Sequence, residues 1–234
     1  MIVSTQTMPI AGKIGEAQTI RLLAQAGFDA YDLTLNVIEG NPIFEDNYKE
    51  YLASLKAEAD AAGITCNQSH APFSSRREDV PKNAHYNEHI FDWLVRALEA
   101  AAYLGAKNIV VHPINYMTYR GNESYLKDMN MDFYRSLAPH AKRVGIRIAI
   151  ENTNGWKAHE QRAIDYLLES PMFGLNLDIG HSHGIGDADE EFFRLHEEKL
   201  IHMHGHDAVG KKDHQALGEG EIDLAARFSW AKQH

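Results

Sequence analysis

Four segments with helical apolar spacing stop at a glycine, Gly27, Gly63, Gly105 and Gly145, and each glycine leads into a strand-like run. A glycine at that position lets a helix end in the left-handed conformation. The repeat predicts strands over 2–7, 30–35, 64–70, 108–112, 147–151, 173–178 and 200–204. Helices are predicted over 15–26, 48–62, 84–104, 123–144, 159–168 and 190–197, with a further helix starting within 221–234. Pro139 is expected to kink or interrupt the fourth of these helices. Runs such as Ile109-Val110-Val111 and Ile148-Ala149-Ile150 are continuously apolar, as in parallel strands buried on both faces. Strand and helix alternating in this way imply a parallel α/β fold.

Polar residues gather at the ends of the strands. Ser69-His70 closes the third, His112-Pro113 the fourth and Glu151-Asn152 the fifth. Asp178 closes the sixth, with His181 one turn on, and His204 closes the seventh. The steps from His70 to His112, Glu151, Asp178 and His204 are 42, 39, 27 and 26 residues, about one strand-helix unit each. An open sheet would concentrate such residues at one switch point. A (β/α) TIM-type barrel gathers them in one mouth, so a single barrel domain over 1–234 is expected. The chain has no GxGxxG or GxxxxGK[ST] loop.

Imidazole and carboxylate converging in this way suit a divalent ion, Zn²⁺, Mn²⁺ or Mg²⁺. Any one of these side chains could be a satisfied buried group. Five ionisable groups at successive strand ends are costly to bury without such a role. Of the 14 histidines, His85, His89, His140, His159, His196 and His234 are expected on solvated surface. Of His202 and His204, one is expected to face the barrel and the other a helix. His183, His206 and His214 fall in loops, and Glu219 lies in the Gly-flanked run 217–220.

Composition narrows the partners. With 23 Lys+Arg against 33 Asp+Glu, the formal charge of −10 argues against nucleic acid. No run approaches the roughly 20 apolar residues of a membrane span. The N-terminus lacks the pattern of a secretory signal, which points to the cytoplasm. Cys66 is the sole cysteine, so no internal disulfide forms.

These motifs resemble the xylose isomerase-like barrel superfamily, which holds sugar phosphate isomerases and epimerases, inosose dehydratases and endonuclease IV. The resemblance is carried by Ser69-His70-Ala71-Pro72-Phe73, Val111-His112-Pro113, Ile150-Glu151-Asn152-Thr153, Leu177-Asp178-Ile179-Gly180-His181 and His202-Met203-His204-Gly205-His206-Asp207. The run from Asp213-His214 to Leu217-Gly218-Glu219-Gly220 matches as well. It implies that Glu151, Asp178 and His204 are metal ligands. Glu151 is then also the catalytic base, and His181 acts on substrate. His70, His112, Asn152, His206, Asp207 and His214 are expected to line or support the site. The family's last ligand is a glutamate on an eighth strand. Here the sequence ends at Trp230-Ala231-Lys232-Gln233-His234, inside the expected preceding helix, so the barrel is expected to lack that strand and the C-terminus to be truncated. Water, His206 or Glu219 is the expected substitute for the missing ligand, and pairing into a homodimer is expected to cover the exposed sheet edges.

The resemblance implies a metal-dependent sugar (phosphate) isomerase or epimerase that removes a proton next to a carbonyl. A phosphorylated substrate would need cations near the mouth, and Arg76, Arg77, Lys211 and Lys212 are within loops that could supply them. The alternatives are an endonuclease IV-like phosphodiester hydrolase and a degenerate, non-catalytic barrel. Against the hydrolase stands Lys212, where that branch carries an acid.

Overall fold

The computed structural model describes residues 2–74, 83–115, 121–154 and 156–233, so Arg76 and Arg77 lie outside the described residues. The chain divides into two compact units. The first contains residues 2–73, 83–111 and 137–148, and the second contains 74, 112–136 and 149–233 in their described parts.

In the first unit β1 (Ser4–Gln6), α1 (Ala11–Ile14), α2 (Glu16–Gln25), β2 (Ala30–Thr34), α3 (Tyr48–Ala62), β3 (Thr65–His70), α4 (Ala84–Leu104) and β4 (Asn108–Val111) follow one another. The four strands pair in parallel, with Ser4 opposite Ala30, Thr34 opposite His70 and Gln68 opposite Asn108. Helices α3 and α4 end as their sequences predict. Gly63 takes φ 69°, and Ile64 N–H reaches back to Ala59 O at 3.1 Å. Gly105 repeats this at φ 99°, with Ala106 N–H on Ala101 O at 3.0 Å. That closure turns the chain sharply into the next strand. Along α4 the buried residues Ile90, Leu94, Ala97, Leu98, Ala101 and Leu104 form one helical stripe. Each buried leucine there contributes about 1.5–3 kcal/mol.

Helix α5 (Glu123–Val144) and strand β5 (Arg147–Glu151) give residues to both units. Helix α5 is continuous through Pro139, so the proline does not interrupt it. Arg147 N–H donates to Lys107 O at 3.0 Å, which ties the start of β5 to the entry of β4.

The second unit continues with α6 (Ala158–Leu168), β6 (Phe173–Asp178), α7 (Ile179–Gly184), α8 (Glu190–Leu195), β7 (Leu200–His204), β8 (Asp207–Val209), β9 (Lys212–Gln215) and α9 (Leu224–Gln233). Strands β6 and β7 are parallel, with Asn176 opposite His202 and Asp178 opposite His204. Strands β8 and β9 form a small antiparallel hairpin, turned at Gly210 with φ 56°. Neither that hairpin nor α7 was expected from the sequence. In all, the described residues hold seven parallel strands succeeding one another in chain order, one fewer than a full TIM barrel.

One histidine reading is corrected here. His159 is not on solvated surface but buried, at 1% exposure. Its stripe on α6 runs on through Ala163, Ile164, Leu167 and Leu168, so four-residue spacing carries it inward with the apolar face.

Candidate metal centre

Strand alternation explains why the site forms. Asn176 and Asp178 are two apart on β6 and project from the same face, as do His202 and His204 on β7. The ring centroids of His202 and His204 are 5.4 Å apart, so the expectation that they face opposite sides is overturned by the period of the strand itself. Asp178 ends β6 and also caps α7, its Oδ1 accepting His181 N–H at 2.8 Å. That cap orders the turn that brings His181 back over the strand ends.

Glu151 is the centre of the cluster and is 1% exposed. Its Oε2 lies 2.8 Å from His204 Nδ1 and accepts Asn176 Nδ2 at 2.7 Å. Its Oε1 lies 3.2 Å from His112 Nε2 and 3.3 Å from His181 Nδ1. Burial alone would raise the Glu151 carboxyl. The imidazoles of His204, His112 and His181 outweigh it and hold that carboxyl well below the usual range. His181 moves the other way: burial opposes its charge, but Glu151 and Asp178 push its pKa up to about 9.

Glu151, Asp178 and His204 each offer a donor atom, and these atoms lie within 4.8 Å of one another. Two carboxylates and an imidazole make a donor set suited to a divalent ion. His181, His206 and His214 form a second group of donors at the same spacing. His206 Nε2 reaches Asp178 Oδ1 at 2.9 Å, and its Nδ1 accepts His214 N–H at 2.8 Å. The His206 and His214 rings stack at 4.1 Å. Asp213 stands beside them, 3.0 Å from His214 Nδ1 and 3.7 Å from His181 Nε2.

Asn152 works from behind. Its Oδ1 accepts Asp178 N–H at 2.7 Å, its Nδ2 donates to Asp178 O at 3.0 Å, and its backbone O accepts His181 Nδ1–H at 2.9 Å. The same Nδ2 donates to Asp189 Oδ2 at 2.7 Å. Asn152 thus fixes both Asp178 and His181.

The remaining expected residues lie elsewhere. Asp207 is buried, and its carboxylate accepts the backbone N–H groups of Ala208, Gly218 and Ile222, so it organises the loop after β7. Glu219 is exposed, and so are Lys211 and Lys212. His70 ends β3 in the first unit, its Nδ1 3.0 Å from Ala71 O. Sequence reasoning passed over Asn176 and Asp189. Asn176 could have been found from its place two residues before Asp178 on the same strand. Asp189 carries no signal, being one acid among several in 187–191.

The family description "Xylose isomerase-like TIM barrel" matches residues 20–234. The chain belongs to this family. No curated protein sequence matches it. Among solved structures, this family member is similar to a 3-keto-D-glucoside 4-epimerase from E. coli, at 18% identity and a TM-score of 0.72, covering 100% of this chain and 88% of that one. A D-tagatose 3-epimerase-like protein is 23% identical with a TM-score of 0.75, covering 100% and 86%. A D-allulose 3-epimerase from Methylomonas sp. is 18% identical with a TM-score of 0.71, covering 100% and 80%. The same Methylomonas enzyme is also solved in complex with D-allulose. At these identities the likeness is one of fold.

Proposed function

We propose that this chain is a divalent-metal-dependent sugar isomerase or epimerase, with Glu151 as its base. The observation that carries this reading is the buried Glu151 carboxylate, set within 4.8 Å of the donor atoms of Asp178 and His204. The epimerases of like fold support the substrate class. Glu151, Asp178 and His204 would hold the ion. Bound there, a divalent ion supplies Lewis-acid polarisation of a ketose carbonyl.

Glu151 takes the proton from the carbon beside that carbonyl. The C–H electron pair moves into the new C–C double bond, and the carbonyl oxygen gains the charge, giving an enediolate. Returning the proton to the neighbouring carbon isomerises the sugar. Delivering one to the opposite face of the same carbon inverts it. His181, protonated and held by Asn152 O, donates to a substrate oxygen.

The test is solvent exchange. The purified chain, supplied with Mn²⁺, Mg²⁺ or Zn²⁺ in turn, is incubated with D-allulose, D-tagatose or D-fructose in deuterated water. Deuterium entering a carbon beside the carbonyl, and lost in Glu151→Gln, supports the reading. No exchange into any ketose by folded, metal-loaded protein overturns it.

The second donor group, His181, His206 and His214, favours one other reading, a multi-metal phosphodiester hydrolase. Cleavage of an abasic duplex without ketose exchange would establish that instead. A chain that retains no added metal would be the non-catalytic barrel.

A further inference from the structure

Helix α4, in the first unit, carries a set of metal donors that shares no residue with the centre around Glu151. His85, Glu88 and His89 lie three and four residues apart in its first turns, so they share one face. Each offers a donor atom, and these atoms lie within 4.8 Å of one another. The two imidazole rings stand 4.5 Å apart between centroids, and His89 Nε2 lies 4.0 Å from Glu88 Oε2. His85 and Glu88 are exposed and His89 is partly exposed, so an ion can reach the donors from solvent.

Imidazoles four residues apart are neighbours on any helix, and on a bare surface their rings turn freely. Here both rings are packed. Trp93 meets the His89 ring at 5.8 Å and the His85 ring at 6.0 Å between centroids. Trp93 is itself packed against Tyr86 at 5.2 Å and Phe44 at 6.5 Å, and the Tyr86 hydroxyl donates to Phe73 O at 3.0 Å. Folding therefore orders the two imidazoles before an ion arrives, which lowers the entropy cost of chelation. A cation in the first turns of a helix opposes the helix dipole; the Glu88 carboxylate counters that charge.

We propose that His85, Glu88 and His89 form a separate surface site for a late first-row divalent ion, of the class of Cu²⁺, Ni²⁺ and Zn²⁺, with water completing the coordination. Two imidazoles select this class over Mg²⁺ and Ca²⁺, which prefer oxygen ligands throughout. Within the class Cu²⁺ binds tightest. The bound ion links successive turns at the start of α4.

Trp93 reports the ion. Cu²⁺ has a partly filled d shell that accepts energy from an excited indole nearby, whereas Zn²⁺ has a filled shell and does not. The full chain, treated with chelator and then freed of it, is titrated with Cu²⁺ while tryptophan emission is followed. A saturable quench is expected in the parent and equally in Glu151→Gln, reversed by Zn²⁺ and unaffected by Mg²⁺. Its midpoint should rise at least tenfold in His85→Gln and in His89→Gln, each of which removes a nitrogen ligand. It should rise about threefold in Glu88→Gln, which keeps an oxygen donor but loses the charge. The same quench should vanish in Trp93→Phe. No saturable quench up to about 100 µM Cu²⁺, or an unchanged midpoint in both histidine variants, would overturn the proposal. A quench that persists in Trp93→Phe, or is lost in Glu151→Gln, would place the ion elsewhere and overturn it as well. Should Trp93→Phe fail to fold by circular dichroism, His85→Gln and His89→Gln decide, since neither side chain is buried.

Discussion

Glu151 and His204 stand 2.8 Å apart, carboxylate Oε2 to ring Nδ1, at the ends of two strands separated by β6 in the chain. Asn176 Nδ2 reaches the same Oε2 at 2.7 Å from that intervening strand. Side chains from three neighbouring strands thus meet at one oxygen. Such a cluster holds a carboxylate ionised despite full burial, because each added proton would cost contacts with His204, His112 and His181.

Removing that charge is the sharpest test. Glu151→Gln keeps the volume and can still accept from Asn176, so the fold persists by circular dichroism. Ketose proton exchange should fall by about 10²–10⁴, the range for a lost general base. Bound metal, measured by elemental analysis, should fall with it, and also in His204→Ala. A Glu151→Gln variant with full exchange would remove Glu151 from the role of base.

The metal-free protein should lose stability as pH rises through the alkaline range. Burial lowers the affinity of His181 for its proton, yet Glu151 and Asp178 raise its pKa from 6.5 to about 9. A group raised in this way contributes stability that is complete below 6.5 and lost as pH passes about 9. The full contribution is about 3 kcal/mol by the linkage relation. Urea unfolding of chelator-treated protein at pH 6 and pH 9 measures it. The slope should flatten in His181→Gln; the same slope in both proteins would show that other groups carry it.

Glu160 acts in the same direction at lower pH, although here it is the neutral form that the fold favours. It is fully buried in the first turn of α6, with Oε2 on Lys157 N–H at 3.1 Å and Oε1 without a partner among the described residues. Burial raises its pKa to about 7, against the bonding from Lys157. The folded chain therefore holds this proton more tightly than the unfolded chain, and stability declines between pH 4.5 and about 7. Glu160→Gln removes that decline. It should stabilise the protein at pH 8 by up to about 3 kcal/mol and change little at pH 4. Equal effects at both values would assign the difference to packing instead.

Much of this was legible in the sequence. Strands β5, β6 and β7 begin and end where their apolar runs and polar ends predict, at Arg147–Glu151, Phe173–Asp178 and Leu200–His204. Their ends are sharp because a polar group closes each apolar run, Glu151, Asp178 and His204, and Gly145 also marks the entry to β5. The metal-ligand candidates follow from those borders. What could not be read were contacts set by loops: the β8–β9 hairpin that brings His214 onto His206, and Asp189, which reaches Asn152 from 37 residues away. His159 was readable through its four-residue step to Ala163, but its polarity argued for the surface.

Gly180 separates packing from chemistry. It follows Ile179 in α7, and a methyl group on its Cα would overlap the His206 ring. Its φ is not in the left-handed region, so alanine is free of backbone strain there. The ring must therefore move, and it cannot do so without leaving Asp178, to which Nε2 is bonded at 2.9 Å. Gly180→Ala should fold with a loss of about 1–3 kcal/mol, the usual cost of overpacking. If His206 orients Asp178 for the ion, metal affinity should drop at least tenfold while His206→Ala gives a drop of similar size. A Gly180→Ala protein with parental metal affinity would show that Asp178 keeps its place without His206, through Asn152 on its backbone N–H at 2.7 Å and His181 N–H on its Oδ1 at 2.8 Å.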